Sequence, residues 1–168
     1  MHYDLIHTKQ TPAFKKLADF FHLTLVSLEE TKNLRIIEGK DDETIRKTLE
    51  HKQADILLDP HQNRHKDFMH FRNSGLNHTL CQFAHDNKIS IGITPRYVSS
   101  SQELGRVMQN IRLCRKYRVS LVFLTLAKTP YQLRNPKDTL SFLLTLGMTG
   151  KEALTAVTSL EHLLKDKL

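Results

Sequence analysis

Tryptophan is absent from this chain, and glycine, proline and cysteine are few, at 6, 5 and 2 of 168 residues. So little glycine and proline argues against disorder and low complexity. The glycines never fall in the G-x-G-x-x-G or G-x-x-x-x-G-K spacing that cradles a phosphate, which argues against a nucleotide-using enzyme. Cys81 and Cys114 have no metal or redox spacing, and each falls inside a predicted helix. They read as reduced, packed thiols of a cytoplasmic protein. No apolar run reaches the length of about 18 residues that a membrane span requires, so no membrane partner is expected. The opening MHYDLIHTKQ has no signal-peptide pattern. No Ser-His-Asp or Cys-His set stands out, and Ser99, Ser100 and Ser101 read as capping residues rather than a nucleophile elbow.

The charge balance is uneven: net +7, with a pI near 9.5. That excess favours a polyanionic partner, nucleic acid first. A hydrophobic fraction of 39% and a charged fraction of 26% are ordinary for a soluble protein. Length alone predicts one domain over residues 1–168, large enough to bury a core.

The most informative stretch is VSLVFLTLAKTPYQLRNPKDTLSFLLTLGM, residues 119–148. Residues 120–126 are apolar and β-branched, too continuous for a half-solvated strand, and predict one buried on both faces. A polar loop follows. Asn135 then fits a helix N-cap, Pro136 the first helical position and Asp138 the first turn. Leu140, Leu143 and Leu144 are expected on one face, and Gly147 stops the helix.

The same alternation runs through the chain. Strands are predicted at 3–7, 23–28, 34–38, 54–58 and 89–94, before the one at 120–126. Helices are predicted from Pro12 to Phe21 behind Thr11, over 41–51, over 76–87, from the Ser100/Glu103 capping box to Tyr117, and after a Thr149/Glu152 box. Leu104, Val107, Met108, Ile111 and Cys114 should face inward on the long helix. Arg106, Arg112, Arg115, Lys116 and Arg118 should lie near its outer face and its end. Alternation implies parallel strands, and six of them suit an open sheet or an incomplete barrel.

Two sets of residues could carry chemistry. Among the ten histidines, His61 and His65 are four apart, followed by His70, His78 and His85, with Asp4 and Asp59 as possible carboxylate partners. That spacing is not diagnostic, and solvent-facing histidines in a basic loop are the plainer reading. The basic residues at strand ends say more. Arg64 and Lys66 follow the fourth strand, Arg96 the fifth, and Lys128 and Arg134 the sixth. Parallel strands put such loops on one face, where ligands bind in α/β folds. The plainer alternative is a set of solvated loop charges.

SGLNH at Ser74 to His78, the strand end at Arg96, AKTPYQLRNPKD at Ala127 to Asp138 and YDLIH at Tyr3 to His7 together carry a resemblance. Over residues 34–157 the chain resembles the archaeal and eukaryotic ribonuclease P protein subunit with a PHP-like TIM-barrel fold, called protein component three in archaea. The resemblance implies an α/β, TIM-barrel-like fold with parallel strands. A strand–helix unit missing between Leu23 and Leu34 implies a reduced or incomplete barrel. It implies a non-catalytic subunit that binds the ribonuclease P RNA and a small partner protein subunit, and so supports cleavage of the 5′ leader of precursor tRNA, which it meets indirectly. It implies no catalytic residue, metal or cofactor on this subunit, and Mg²⁺ with the holoenzyme RNA. Arg64, Lys66, Arg96, Lys128 and Arg134 are the expected RNA-binding residues. The rival is a metal-dependent PHP-type phosphoesterase. Such enzymes open with a His-x-His strand, where this chain offers Asp4 and His7. Phe83, Ile91, Leu121, Phe123 and Leu143 are the expected core.

Overall fold

The computed structural model describes residues 2–31, 33–62, 66–67 and 69–165. In chain order the elements are β1 (His2–Ile6), α1 (Pro12–Phe21), β2 (Leu23–Ser27), β3 (Ile36–Glu38), α2 (Asp42–Glu50), β4 (Ile56–Leu58), α3 (His78–Asp86), β5 (Ser90–Ile93), α4 (Ser101–Tyr117), β6 (Leu121–Phe123), α5 (Pro136–Thr145) and α6 (Gly150–Lys165). The strands form sheets in the orders β1-β2 and β3-β4-β5-β6, and β1-β2, β3-β4 and β4-β5 pair in parallel. The fold is thus α/β with parallel strands, as the alternation requires. By packing, the chain divides into two compact units, Met1–Leu34 with Val122–Leu168, and Arg35–Leu121.

In the discontinuous unit, β1 and β2 run in register from His2 opposite Leu23 to Ile6 opposite Ser27. A parallel bridge from Ile6 to Ala127 adds the chain beyond β6 to the other side of β1. Thr11 accepts the Phe14 amide and opens α1, whose Phe14 and Ala18 pack with Ile6, Leu25, Ala127 and Leu133. Asn135 accepts the Lys137 amide and opens α5 with Pro136 in its first turn, as expected. The Thr149/Glu152 box is formed as well, with the Thr149 amide 2.7 Å from Glu152 Oε2 and the Glu152 amide 3.3 Å from Thr149 Oγ1.

In the continuous unit, the core gathers Ile45, Leu49, Leu57, Leu80, Cys81, Ala84, Ile91 and Cys114, so both thiols are packed as expected. Ile91 N–H donates to Ser120 O at 2.9 Å. Asp41, Asn77 and the Ser100/Glu103 box open α2, α3 and α4 through their side chains. Asn87 caps rather than packs: its Nδ2 donates to Leu49 O at 2.6 Å, closing α2. Gly92 is required by close packing, because a Cβ there would clash with Leu58 Cδ2.

Several expectations change. The sixth strand is three residues long, not 120–126. Beyond Phe123 the chain leaves the ladder, and Leu126 turns left-handed at φ 47. On α5, Leu143 is fully buried, but Leu144 is 47% exposed and Leu140 half-buried; Pro136 and Thr139 take the inner face instead. Of the expected core, Ile91, Phe123 and Leu143 are buried, whereas Phe83 and Leu121 are half-buried against it. Leu104 and Met108 are likewise half-buried. Arg106, expected outside, is buried with Asn110 and Gly105 on the inner face of α4. Its charge is met by Asp67, with Nε 2.8 Å from Oδ1. Truncating Leu143 to Ala should cost roughly 2–5 kcal/mol by chemical denaturation, and an unchanged midpoint would contradict this packing.

Candidate nucleic-acid interface

Each unit holds a buried aspartate on or just past a strand. Beyond β4, Asp59 takes a left-handed φ of 43 and turns its carboxylate into the protein. Thr94, just past β5, donates its amide to Asp59 Oδ1 at 2.9 Å and its hydroxyl to Oδ2 at 2.6 Å. Burial pushes the Asp59 carboxyl up to about 7, despite the two Thr94 hydrogen bonds and the Arg96 charge that favour the ionised form. Gly39, at the end of β3, lets the turn close, because a Cβ there would lie 2.7 Å from Pro60 Cα.

The discontinuous unit repeats the device. Asp4, within β1, accepts the Thr125 amide at 2.9 Å and the Thr125 hydroxyl at 2.6 Å. Burial raises this carboxyl to about 6, again against its hydrogen bonds. In both places a threonine just past one strand is locked to an aspartate on or just past another. The carboxylates that invited a metal reading are therefore committed to the fold. Among the described residues no cluster of three His, Cys, Asp or Glu side chains is arranged to hold a metal ion. His61 is buried, its Nε2 2.9 Å from Tyr97 O, rather than solvent-facing; His70, His78 and His85 are exposed, and His65 lies outside the described residues.

Arg96 acts on the Asp59 clamp, and Arg134 lines a cavity beside the Asp4 clamp. Arg96 stands on a single 3-10 turn, Pro95–Tyr97. Its guanidinium lies 5.6 Å from the Tyr97 ring centroid, and Nη2 is 3.7 Å from Glu38 Oε1 at the end of β3. The Arg96 side chain is only 23% exposed, and its buried Nε has no hydrogen-bond partner among the described residues. Lys66 is exposed on the chain leading to α3, and Arg64 lies outside the described residues. In the other unit, Lys128 and Arg134 flank a second 3-10 turn, Pro130–Gln132, and both are exposed. The Lys128 amide donates to Gln132 Oε1 at 2.7 Å, and Arg134 Nη1 reaches Tyr131 O at 3.4 Å. Arg134 also lines a small cavity of about 20 Å³ with Tyr3, Asp4, Thr125 and Thr139. Lys128 and Arg134 thus flank one turn, while Arg96 is held by Glu38 and Tyr97. Exposed cations on short, braced turns suit phosphate, because little side-chain and backbone freedom remains to be lost on binding.

Sequence reasoning did not find the two clamps, although it singled out both aspartates. The signal available was an aspartate and a threonine each beside a strand end. Their partnership depends on which strands become neighbours.

Comparison with known proteins fits this architecture. A family model described as RNase P subunit p30 matches residues 27–167. Ribonuclease P protein component 3 of Methanosarcina mazei is 34% identical over 130 residues, covering 74% of this chain and 51% of the relative. The protein of the same name in Methanosarcina acetivorans is 30% identical over 144 residues, covering 82% of this chain and 57% of its own length. The chain therefore spans about half the length of the curated relatives it matches. A chain in the cryo-EM structure of archaeal ribonuclease P with mature tRNA superposes with a TM-score of 0.71 at 20% identity, over 98% of this chain and 80% of that one. That likeness establishes the fold. The sequence match over residues 27–167, most of the chain, makes this chain a member of the RNase P subunit p30 family.

Proposed function

We propose that this chain is a protein subunit of ribonuclease P that does not itself supply the catalytic site, acting in the cytoplasm. It binds the RNA subunit and a small partner protein subunit, and so supports removal of the 5′ leader of precursor tRNA. In this reading Mg²⁺ belongs with the RNA. The observation that carries the proposal is the family match over residues 27–167. The net charge of +7 supports it, since a phosphate backbone is the natural partner for such an excess. Lys66, Arg96, Lys128 and Arg134 are the proposed phosphate-binding side chains, with Arg64 in the same set.

The test is affinity for ribonuclease P RNA against salt, variant by variant. Arg134→Ala and Arg96→Ala should weaken binding more than Lys66→Ala, because a guanidinium holds a phosphate with two hydrogen bonds where an ammonium acts as a point charge. Each lost phosphate contact should flatten the log–log salt slope by about 0.7–0.9. Circular dichroism serves as the folding control. Wild-type binding by every variant at low and high salt would remove these residues from the RNA surface. Steady phosphoester or RNA hydrolysis by the isolated protein with Mn²⁺ or Zn²⁺, lost on His7→Ala, would replace the proposal with a phosphoesterase.

A further inference from the structure

Between Ala127 and Leu133 the chain leaves the core and returns to it. Both residues belong to the buried cluster of Ile6 and Phe14, and Ala127 is bridged to Ile6 as well. The turn between them is braced from within. Gln132 N–H donates to Thr129 O at 3.0 Å, and Leu133 N–H donates to Pro130 O at 3.1 Å. The Lys128 amide donates to Gln132 Oε1 at 2.7 Å. The ring of Pro130 fixes its own φ. A turn held this way has little freedom to lose on binding. Yet it presents Tyr131 to solvent, 90% exposed.

The fold makes no use of this side chain. Among the described residues the Tyr131 ring has no ring contact and its hydroxyl no hydrogen bond, so the ring is open to solvent. Its neighbours on either side are cationic. Arg134 uses Nη1 alone, on the carbonyls of Tyr131 and Leu133 at 3.4 and 3.5 Å, which sets the guanidinium against the Tyr131 backbone. Its Nε and Nη2 make no hydrogen bond among the described residues. That edge of a guanidinium can hold a phosphate through two hydrogen bonds. Lys128, exposed at the other end of the turn, is in no ion pair among the described residues. From Ala127 to Lys137 the chain has no acid. Asp4, at the cavity that Arg134 lines, is buried and bound to Thr125.

We propose that Tyr131 stacks one unpaired base of an RNA strand, with Arg134 and Lys128 taking phosphates of that strand. Single strands are held by this combination, an open aromatic face for a base and cations for the backbone. A duplex hides its base faces, so the ligand is a loop, a bulge or an end. Exposed tyrosines standing alone are ordinary. This one is set apart by the braced turn and by an unengaged cation three residues away on each side. A protein surface covering Tyr131 would have to bring an acid to Lys128 and another to Arg134, whereas a phosphate backbone carries both charges already. The inference rests on the reading that the chain binds ribonuclease P RNA, and deepens it by assigning a base-stacking residue.

The chain has no tryptophan, so Tyr131→Trp places a single reporter on the turn. Stacking on a base quenches indole emission. Ribonuclease P RNA should therefore quench this variant in a titration and leave Phe20→Trp, at an exposed position of α1, unchanged. Tyr131→Ala should weaken RNA binding roughly 5- to 150-fold, the range that one stacked base supplies. Tyr131→Phe should bind like wild type, because stacking needs the ring and not the hydroxyl. Tyr131→Ala should also keep the wild-type salt slope, whereas Arg134→Ala flattens it by about 0.7–0.9. Wild-type affinity in Tyr131→Ala, or equal quenching at both reporter positions, would overturn the assignment and leave Tyr131 to a protein partner. If Arg134→Ala still weakens binding in that case, the wider RNA reading survives. If the wild-type protein does not bind ribonuclease P RNA, both fail.

Discussion

Stability is expected to rise as the pH falls from about 8 to about 5, the reverse of ordinary acid behaviour. The cause lies in the two clamps. In the unfolded chain, Asp4 and Asp59 lose their protons near pH 4, at about 3.9. In the folded protein, burial holds them up at about 6 and about 7. Between those limits the folded state carries more protons than the unfolded state, so raising the pH favours unfolding. This contribution is fully present below about 4 and is lost as the pH rises through the folded values. At 1.36 kcal/mol per pH unit the two groups together are worth several kcal/mol, on the order of 3 for Asp4 and 4 for Asp59. Asp67 and Glu103 run the other way. Partial burial pushes their carboxyls up, but it is outweighed by Arg106 and the Asn73 amide in one case and by Ser99 and Ser100 in the other, and both sit below the usual range. Their contribution is lost only as the pH falls through those low values, outside the window of the clamps. Asn at position 4 or 59 would present its carbonyl to the threonine amide and its NH₂ to the threonine hydroxyl, with no charge to desolvate. Urea midpoints of wild type and the Asp4→Asn/Asp59→Asn double variant, taken across this range, check the idea. The wild type should slope and the double variant should be flat. A flat wild type, or a slope that survives in the double variant, refutes it.

Asp67→Ala should destabilise the protein by about 3–5 kcal/mol, because it takes the carboxylate partner from a buried guanidinium. Arg106 is 2% exposed in the core of α4 and has no direct route to water. Arg106→Met should cost markedly less. It fills the same space with an apolar chain, while Asp67, whose side chain is 24% exposed, turns to solvent. The two variants thus separate a stranded charge from a lost contact. Asp67→Ala also removes the acceptor of the Asn73 amide, so backbone amides near Asn73 should exchange faster with solvent. Equal costs for both variants in denaturant unfolding would contradict this account.

These two features lay beyond the reach of the sequence for a common physical reason. A helix cap is decided within three residues, and so Thr11, Ser100 with Glu103, Asn135 and Thr149 with Glu152 could all be read directly. Period and turn chemistry placed six strands and their helices within a residue or two at most ends, but made β6 too long. Its apolar run continues past the point where the backbone leaves the sheet. Asp4 and Thr125 are 121 residues apart, and Arg106 and Asp67 are 39 apart. No local pattern reports such partners. Arg106 sat on the polar side of a helical projection, and only the loop brought over it made burial tolerable. Of the RNA-binding candidates, the sequence gives identity and place along the chain. That Arg96 is engaged by Glu38 and Tyr97, whereas Lys128 and Arg134 flank one turn and stand exposed, follows from neighbours the sequence does not reveal.

The division of the chain into one continuous and one interrupted unit sets an order of assembly. Arg35–Leu121 has all of its parts within one stretch, so it closes its contacts at modest loop entropy and can fold while the ribosome is still adding the rest. The interrupted unit cannot do the same. Its β1, α1 and β2 are made first, but Asp4 must wait for Thr125, and Ile6 for Ala127. Until then β1 has a free edge and the apolar face of α1 has no Leu133 to cover it. The stretch made earliest is therefore the last to be secured, and a nascent chain stalled before α5 would be the form in greatest need of a chaperone.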